Sequence, residues 1–231
     1  MFFVVTVMIN FIGKNGMGIG GVMKIRAIGD AHGHMDKYVP ITVGVEHSIL
    51  LGDIGFGFGI DIPILEPTHR MIRGNHDSPA EFKLHPNHID DGTIEKIKEK
   101  DEEISVMYIG GAWSVDWEWR QQRMAHGGKA IWWKDEECSV REFNRMIEAY
   151  EENHPTIMFT HDCPTMAANA LDSHHSWDNF KTRTAFDSMW EIHKPEMWIF
   201  GHHHMSKAMD IQGTRFICLD ELAYIDIELG E

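Results

Sequence analysis

Aspartate, histidine and asparagine residues recur at five points of the chain in spacings that suit metal binding. Their side chains offer the oxygen and nitrogen donors that divalent metal ions accept. A lone histidine is more often structural than a ligand, but five spaced groups of suitable types outweigh that expectation. We therefore predict a metal centre built from seven side chains: Asp30, His32, Asp53, Asn75, His161, His202 and His204.

Alternate positions within these groups are expected to face the metal. Successive side chains of a β-strand point to opposite faces. At a strand end, His202 and His204 would therefore point the same way and His203 the other way. The same spacing pairs Asp30 with His32.

Short apolar segments lead into each group, which indicates strands that end at the site. Ligands of open α/β sheets collect at the carboxyl ends of the strands. A preformed cluster is therefore expected where these strands end. The predicted strands are 24–28, 48–51, 69–73, 156–160 and 197–200.

The remaining segments are expected to complete an α/β domain. Ser139 and Glu142 form a capping-box pattern at the start of a helix. The charged segment 85–103 is expected to be a solvated helix face or loop. Another helix is predicted over 186–193, and further strands over 106–109, 207–211, 214–219 and 223–229.

The composition bounds the domain organisation and the partners. With 231 residues and 43% hydrophobic content, the chain fits one domain. A formal net charge of -15 disfavours extended nucleic acid as a partner. Three cysteines without a C-x-x-C pair favour a reducing, cytoplasmic location. The apolar segment 1–12 is about half of the roughly 20 residues that a membrane span needs, so no membrane partner is expected.

The first residues are set apart by the glycine-rich stretch 16–21, which lacks periodicity. We predict that residues 1–22 are a non-catalytic extension and that residues 23–231 are the catalytic domain. Translation could start at Met1 or at Met23, where the regular chain begins.

Segment 113–133 is rich in tryptophan and also contains arginine. We interpret it either as a wall that contacts the substrate or as a surface loop whose tryptophans cover the core. In the first case Arg120 and Trp132 are candidate substrate contacts.

The five groups together resemble the calcineurin-like metallophosphoesterases, whose motifs are D-x-H, G-D, G-N-H-[DE], a single H, and G-H-x-H. The match covers residues 24–204 with all five motifs in order. The segments around Trp113, Trp132 and Cys163 further resemble a bacterial and phage branch of that family.

The resemblance implies an α/β fold, a two-sheet β sandwich flanked by helices (αββα), with a binuclear metal site at the carboxyl ends of strands. It assigns three ligands to each of two ions and makes Asp53 the bridge between them. The first set is Asp30, His32 and His204; the second is Asn75, His161 and His202.

One motif departs from the protein serine/threonine phosphatases of that family. Their second motif continues as G-D-x-x-D-R-G, whereas segment 52–59 of this chain contains no arginine. The phosphate-binding arginine of that motif is therefore missing, which argues against protein phosphatase activity.

The predicted reaction is hydrolysis of a phosphomonoester or a small phosphodiester by a metal-bridging hydroxide. Two divalent ions are expected, manganese first, with iron or zinc as alternatives. His76 follows Asn75 and is free to donate a proton to the leaving oxygen, oriented by Asp77, while Asn75 also contacts the substrate. The alternatives are a nuclease of the same fold and a non-catalytic binding protein. The oligomeric state stays open.

Overall fold

The computed structural model describes residues 4–8, 23–99, 102–129, 131–171 and 180–229. Within these ranges eleven strands form two sheets of five and six strands.

The first sheet carries the N-terminal part of the predicted metal site. Its strands are β1 (Val4–Met8), β2 (Met23–Ile28), β3 (His47–Leu50), β4 (His69–Met71) and β11 (Tyr224–Leu229). Their order is β1-β11-β2-β3-β4. Strands β2, β3 and β4 run parallel, so their carboxyl ends meet at one edge of the sheet.

The second sheet carries the remaining part of the predicted metal site. Its strands are β5 (Thr93–Glu99), β6 (Glu102–Ile109), β7 (Ile157–Thr160), β8 (Met197–Phe200), β9 (Lys207–Ile211) and β10 (Thr214–Cys218). Their order is β5-β6-β7-β8-β10-β9. The four central strands are parallel, and β5 and β9 pair antiparallel at the edges.

Alternate residues of the strands enter different cores, as the period of two requires. In β8, Met197 and Ile199 pack between the sheets, whereas Trp198 and Phe200 face the helices. In β3, Ile49 lies between the sheets and the adjacent Leu50 lies in a third core on the outer face.

Helices cover both outer faces. They are α1 (Met35–Thr42), α2 (Pro79–Phe82), α3 (Trp117–Ala125), α4 (Val140–Asn153), α5 (Thr165–Ala170) and α6 (Lys181–Ile192). The predicted capping box at Ser139 is confirmed at the start of α4. The predicted two-sheet sandwich flanked by helices is therefore confirmed. None of the helices in the described ranges is long and apolar enough to cross a membrane.

The prediction for 85–103 is wrong, because residues 93–99 form β5 and residues 102–103 begin β6, its hairpin partner. The charged side chains form ion pairs at the sheet edge: Lys96 pairs with Glu103 at 3.0 Å, and Glu95 pairs with Arg70. Charge density indicated a solvated surface correctly, but an edge strand is also such a surface.

The N-terminal segment contributes a strand. Val4–Met8 lies parallel to β11 at the edge of the first sheet, from Val4 beside Tyr224 to Met8 beside Glu228. Residues 1–3 and 9–22 lie outside the described ranges. The assignment of 1–22 as a non-catalytic extension stays a prediction.

Candidate metal centre

The predicted ligands lie at the carboxyl ends of five parallel strands drawn from both sheets. Strands β2, β3 and β4 end at residues 28, 50 and 71, and β7 and β8 end at residues 160 and 200. The residues that follow are Asp30 and His32, Asp53, Asn75, His161, and His202 and His204. Because the two sheets face each other, ligands that are distant in sequence converge.

Asp30, His32, Asp53 and His204 form one compact cluster, with donor atoms within 4.8 Å of one another. The Nε2 atoms of His32 and His204 lie 3.0 Å apart. His204 Nε2 lies 3.4 Å from Asp30 Oδ2. Carboxylate and imidazole donors gathered in this way fit a divalent metal ion.

A second group adjoins the first at Asp53. His161 Nε2 lies 3.4 Å from Asp53 Oδ1 and 2.9 Å from Asn75 Oδ1. The ring of His202 lies 5.0 Å from that of His161. The structure thus brings together all seven residues, with Asp53 between the two groups.

The environment of His161 is what a bound cation would require. Its Nδ1 donates to the carbonyl oxygen of Leu51 at 2.7 Å, which leaves Nε2 with a free lone pair in the neutral ring. That lone pair faces the oxygens of Asn75 and Asp53, which also lack a proton to share. A positive charge at this position satisfies all three atoms: a proton on Nε2 can supply it, and a bound metal ion would supply it in the proton's place.

Burial and charge act in opposite directions on these groups. Burial raises the pKa of Asp53, but the imidazoles of His161 and His76 outweigh burial and hold that pKa below its ordinary value. Burial lowers the pKa of His161, and Asp53 and then Asp30 outweigh it and raise that pKa. Burial also holds the pKa of His202 well below its ordinary value, so this ring is neutral, as a metal ligand must be.

Glycines make the close approach of these ligands possible. A Cβ atom at Gly74 would overlap Asp53 Oδ1, and one at Gly201 would overlap Asp30 Oδ1. A Cβ atom at Gly52 would overlap His161 Nδ1. The glycines of the G-D, G-N-H and G-H-x-H motifs are therefore required by space.

The histidine run after β8 is a bend, not the end of a strand as the spacing argument assumed. His202 and His204 have φ angles of 64° and 49°, in the left-handed region. His203 does turn away from the cluster, and its Nε2 lies 3.0 Å from Asp162 Oδ1. The three histidine side chains point in the expected directions, but a bend of the backbone, rather than strand alternation, is the cause.

Asp162, Cys163 and His203 form a second buried group with metal-type donors. The Asp162 carboxylate is already paired with a cation, because Arg183 Nε lies 2.9 Å from its Oδ2. This group therefore supports the loops that carry His161 and His202.

His76 and Arg120 meet beside the cluster. Arg120 Nη2 lies 3.1 Å from His76 Nε2. Because a guanidinium only donates hydrogen bonds, His76 Nε2 is the acceptor here. Arg120 is held in place by Asp116 at 2.7 Å and by the carbonyl oxygen of Ile131 at 2.9 Å. Burial, assisted by Arg120, lowers the pKa of His76 although Asp53 opposes the shift.

The prediction that Asp77 orients His76 is corrected. Both Asp77 oxygens accept backbone amides, at 2.8 Å from Gly55 and from Gly74, at 3.0 Å from Ile54 and at 3.1 Å from Phe56. This buried carboxylate joins the loop after β3 to the loop after β4. It therefore positions Asp53 and Asn75, and no hydrogen bond links it to His76 in the described structure.

Ser114 and Glu136 support the site and were missed from the sequence. Asn75 Nδ2 donates to Ser114 Oγ at 2.9 Å, and Ser114 Oγ donates to Glu136 Oε2 at 2.6 Å. Ser114 donates its single hydroxyl hydrogen to the Glu136 carboxylate, so its oxygen can only accept a hydrogen bond from Asn75. This leaves Asn75 Oδ1 facing the cluster. The only available signal was the position of Ser114 after β6.

Trp132 does not line the cavity beside the cluster. That cavity is bounded by His32, Asp53, Gly55, Phe58, Ile60 and His76. The Trp132 ring lies 6.2 Å from that of Trp117. Its contact with a substrate stays a prediction.

Comparisons with known proteins give a match of fold alone. No family model matches the sequence, and no curated protein matches it. The structure of GAP50, the anchor in the inner membrane complex of Plasmodium, is similar with a TM-score of 0.52 and 8% identity, over 86% of this chain and 71% of that chain. Phosphopantetheinyl hydrolase from Mycobacterium tuberculosis is similar with a TM-score of 0.49 and 9% identity, over 86% of this chain and 90% of that chain.

The similarity to GAP50 covers most of this chain and is a similarity of fold. The histidine and aspartate cluster lies where the parallel strands end. The described chain therefore has an α/β fold of two sheets flanked by helices that is similar to the fold of GAP50, and its candidate metal cluster lies at the ends of the parallel strands.

Proposed function

We propose that this chain is a metal-dependent phosphoesterase that hydrolyses phosphomonoesters or small phosphodiesters at a pair of divalent ions. Asp30, His32 and His204 would hold one ion, and Asp53 would bridge to the second. The second ion would be held by Asn75, His161 and His202. Manganese is the expected metal, with iron or zinc as alternatives.

The contact geometry of His161 carries this proposal. Its Nε2 lies 2.9 Å from Asn75 Oδ1 and 3.4 Å from Asp53 Oδ1, so that three metal-type donor atoms converge on one position where a divalent ion could replace a proton. With the neighbouring group around Asp30, the site offers two adjoining positions that share Asp53. Such a pair of ions supplies Lewis acidity and a nucleophile at neutral pH.

Arg120 supports binding of an anionic substrate. The G-D motif lacks the arginine found in protein phosphatases, but Arg120 presents its guanidinium beside His76 from helix α3. Arginine suits phosphate because its planar donors match the phosphate oxygens. In the proposed reaction Arg120 binds the phosphate group.

His76 would then donate a proton to the leaving oxygen. In the described arrangement its Nε2 accepts from Arg120 and carries no proton. Donation from this atom requires Arg120 to move to the phosphate, which would leave Nε2 free to take up a proton. The negative charge of the phosphate would favour that protonated form.

The competing functions fit less well. A nuclease would need a basic path for the nucleic-acid backbone, whereas the net charge is -15. A non-catalytic binding protein would not need all seven metal-type side chains and His76 together. A non-catalytic binding protein predicts no hydrolysis of small phosphoesters, and a nuclease predicts that nucleic acid is hydrolysed in preference to them.

The test begins with metal-depleted protein that is reconstituted with manganese. We expect close to two ions per chain and hydrolysis of p-nitrophenyl phosphate or of its bis ester. Asp53→Asn should weaken binding of both ions and lower the rate by at least about 10-fold, because the shared charge is lost. Asp36→Asn, an exposed change in α1, is the matched control. Protein that binds no manganese and hydrolyses neither ester would refute the proposal.

A further inference from the structure

The cavity beside the metal cluster is lined by two chemically different sets of residues. It has a volume of about 220 Å³. His32, Asp53 and His76 are the polar set, and Gly55, Phe58 and Ile60 are the apolar set. A ligand that fills this cavity therefore meets both metal-type donors and apolar atoms.

Phe58 and Ile60 are large apolar side chains that remain 38% and 37% exposed. Single exposed apolar residues are common on protein surfaces and need no explanation. These two, however, both line the cavity that His32 and His76 also line. Covering them with the apolar part of a substrate would favour binding of that substrate.

The apolar wall, meaning Phe58 and Ile60, is already formed. The ring of Phe58 packs edge-on against Trp133, with centroids 5.6 Å apart. Ile60 sits directly against Gly33 and Gly55, since a Cβ atom on either glycine would overlap its Cδ1. A preformed wall favours binding because little side-chain freedom is lost when the ligand arrives.

The backbone beneath the wall is fixed as well. Asp77 accepts the amide of Gly55 at 2.8 Å, and Glu81 accepts the amide of Gly57 at 3.1 Å. These carboxylates hold the segment that carries Phe58 and Ile60. The wall is thus tied to the same loop that carries Asp53.

Charge indicates what the two ends of the ligand must be. Divalent ions held at the cluster would attract an anion, and the guanidinium of Arg120, 3.1 Å from His76, would add to that attraction. Gly55, Phe58 and Ile60 offer no charged group to the other end. The cavity is also smaller than the 300–1,000 Å³ typical of drug-sized ligands, which favours a small substrate.

Building on the proposed function, we propose that the substrate is a small phosphoester whose alcohol portion is apolar, an aryl or branched alkyl group, and that this group packs on Phe58 and Ile60. These two residues select the alcohol, whereas the metal cluster and Arg120 bind the phosphate. Sugar phosphates, whose alcohol is hydroxylated, would bury polar groups against this wall and bind less well.

The test compares two inert ligands, methylphosphonate and benzylphosphonate, by calorimetry on manganese-loaded protein. The wild type should bind benzylphosphonate at least about 10-fold more tightly, a typical effect of added apolar contact. In Phe58→Ser and Ile60→Ser that ratio should fall towards one, while the affinity for methylphosphonate stays unchanged. Ile64→Ser, which removes an apolar residue that is 71% exposed and outside the cavity, should keep the wild-type ratio.

Hydrolysis gives a second readout. Benzyl phosphate and methyl phosphate have leaving alcohols of similar acidity, so a difference in kcat/KM reports contact with the alcohol rather than leaving-group chemistry. We expect benzyl phosphate to be favoured at least about 10-fold in the wild type and in Ile64→Ser, and much less in the two wall variants. Metal content and circular dichroism confirm that each variant is folded.

The outcomes separate this inference from the proposed function. Equal binding of the two phosphonates by the wild type overturns the apolar wall and leaves phosphoester hydrolysis standing. A preference that survives in both wall variants places the contact elsewhere and also overturns it. Failure to bind either phosphonate in the presence of manganese, with no turnover, overturns the proposed function itself. The wild-type comparison decides the matter even if a wall variant does not fold.

Discussion

At the scale of single residues, Ser114 determines which atom of Asn75 faces the proposed second ion. In Ser114→Ala the Asn75 amide loses the acceptor for its Nδ2 and is free to rotate. We expect the affinity for one of the two manganese ions to fall about 10- to 100-fold, the usual effect of removing a residue that orients a ligand. The other ion should bind as before.

Calorimetric titration of manganese into the metal-free protein measures the affinity for each of the two ions. Ser188→Ala is the matched control, because Ser188 Oγ donates to the carbonyl oxygen of Thr184 within helix α6 and the residue lies on the exposed surface. Unchanged affinity for both ions in Ser114→Ala would show that Asn75 does not depend on this hydrogen bond.

Glu136 is expected to make stability depend on pH. Burial raises the pKa of its carboxyl to about 7, although hydrogen bonds from Ser114 lower it. The folded state therefore binds this proton more tightly than the unfolded chain. The contribution of Glu136 to stability is fully present below the pKa that this carboxyl has in the unfolded chain. It is lost as the pH rises through about 7, and the loss is on the order of 3 kcal/mol.

Glu136→Gln resembles the protonated form of Glu136. The variant should therefore lack the contribution of this residue to the pH dependence of the free energy of unfolding. Denaturant unfolding of metal-free wild type and variant between pH 5 and 8 measures it. The two free energies should diverge as the pH rises, with the variant more stable at pH 8. Parallel curves would show that Glu136 does not titrate in this range.

The proposed role of His76 as proton donor is tested by comparing esters that have different leaving groups. His76→Ala should keep both ions, because its side chain is not among the proposed ligands, and should slow hydrolysis of alkyl phosphates by about 10²- to 10⁴-fold. The loss should be much smaller for p-nitrophenyl phosphate, whose leaving group departs as an anion. Equal losses on both esters, or loss of metal, would remove His76 from this role.

At the scale of elements, Asp77 joins the loops after β3 and β4. Asp77→Asn replaces one acceptor oxygen by a donor that faces backbone amides. Leaving a buried donor without its partner costs about 1–3 kcal/mol, so the free energy of unfolding should fall by that amount. Because both loops carry proposed ligands, metal affinity should fall too.

The same variant separates this role from the orientation of His76. A loosened pair of loops should slow hydrolysis of alkyl and p-nitrophenyl phosphates equally. A loss confined to the alkyl esters, with metal content and stability unchanged, would instead restore Asp77 as the partner of His76.

At the scale of the whole molecule, the N-terminal strand lies at the edge of the first sheet. Deleting residues 1–22 removes the pairing of Val4–Met8 with β11 and none of the proposed ligands. We expect metal binding and hydrolysis to be retained, with some loss of stability because an edge strand is removed. Activity and thermal unfolding of the truncated protein measure the two effects. An insoluble product, or one without metal, would place the segment within the catalytic domain.

Much of the fold could be predicted because its signals are local. An apolar run followed by a turn with glycine and a ligand-type residue is contained within about ten residues, as at 24–32 and 197–204. Such segments predicted the strands of the site and their carboxyl ends. The hairpin of β5 and β6 was missed because charged residues suit both a loop and an edge strand.

The sequence by itself determined the types and order of the metal-type side chains, since strand, turn and ligand are encoded together in each motif. Only the tertiary structure decided which groups support them. Ser114 reaches Glu136 across 22 positions, and Asp77 reaches Gly55 across the same number. Phe58 and Ile60 likewise become a wall only because their loop folds beside His32 and His76. Contacts between loops depend on how the two sheets pack, and no local pattern contains that information.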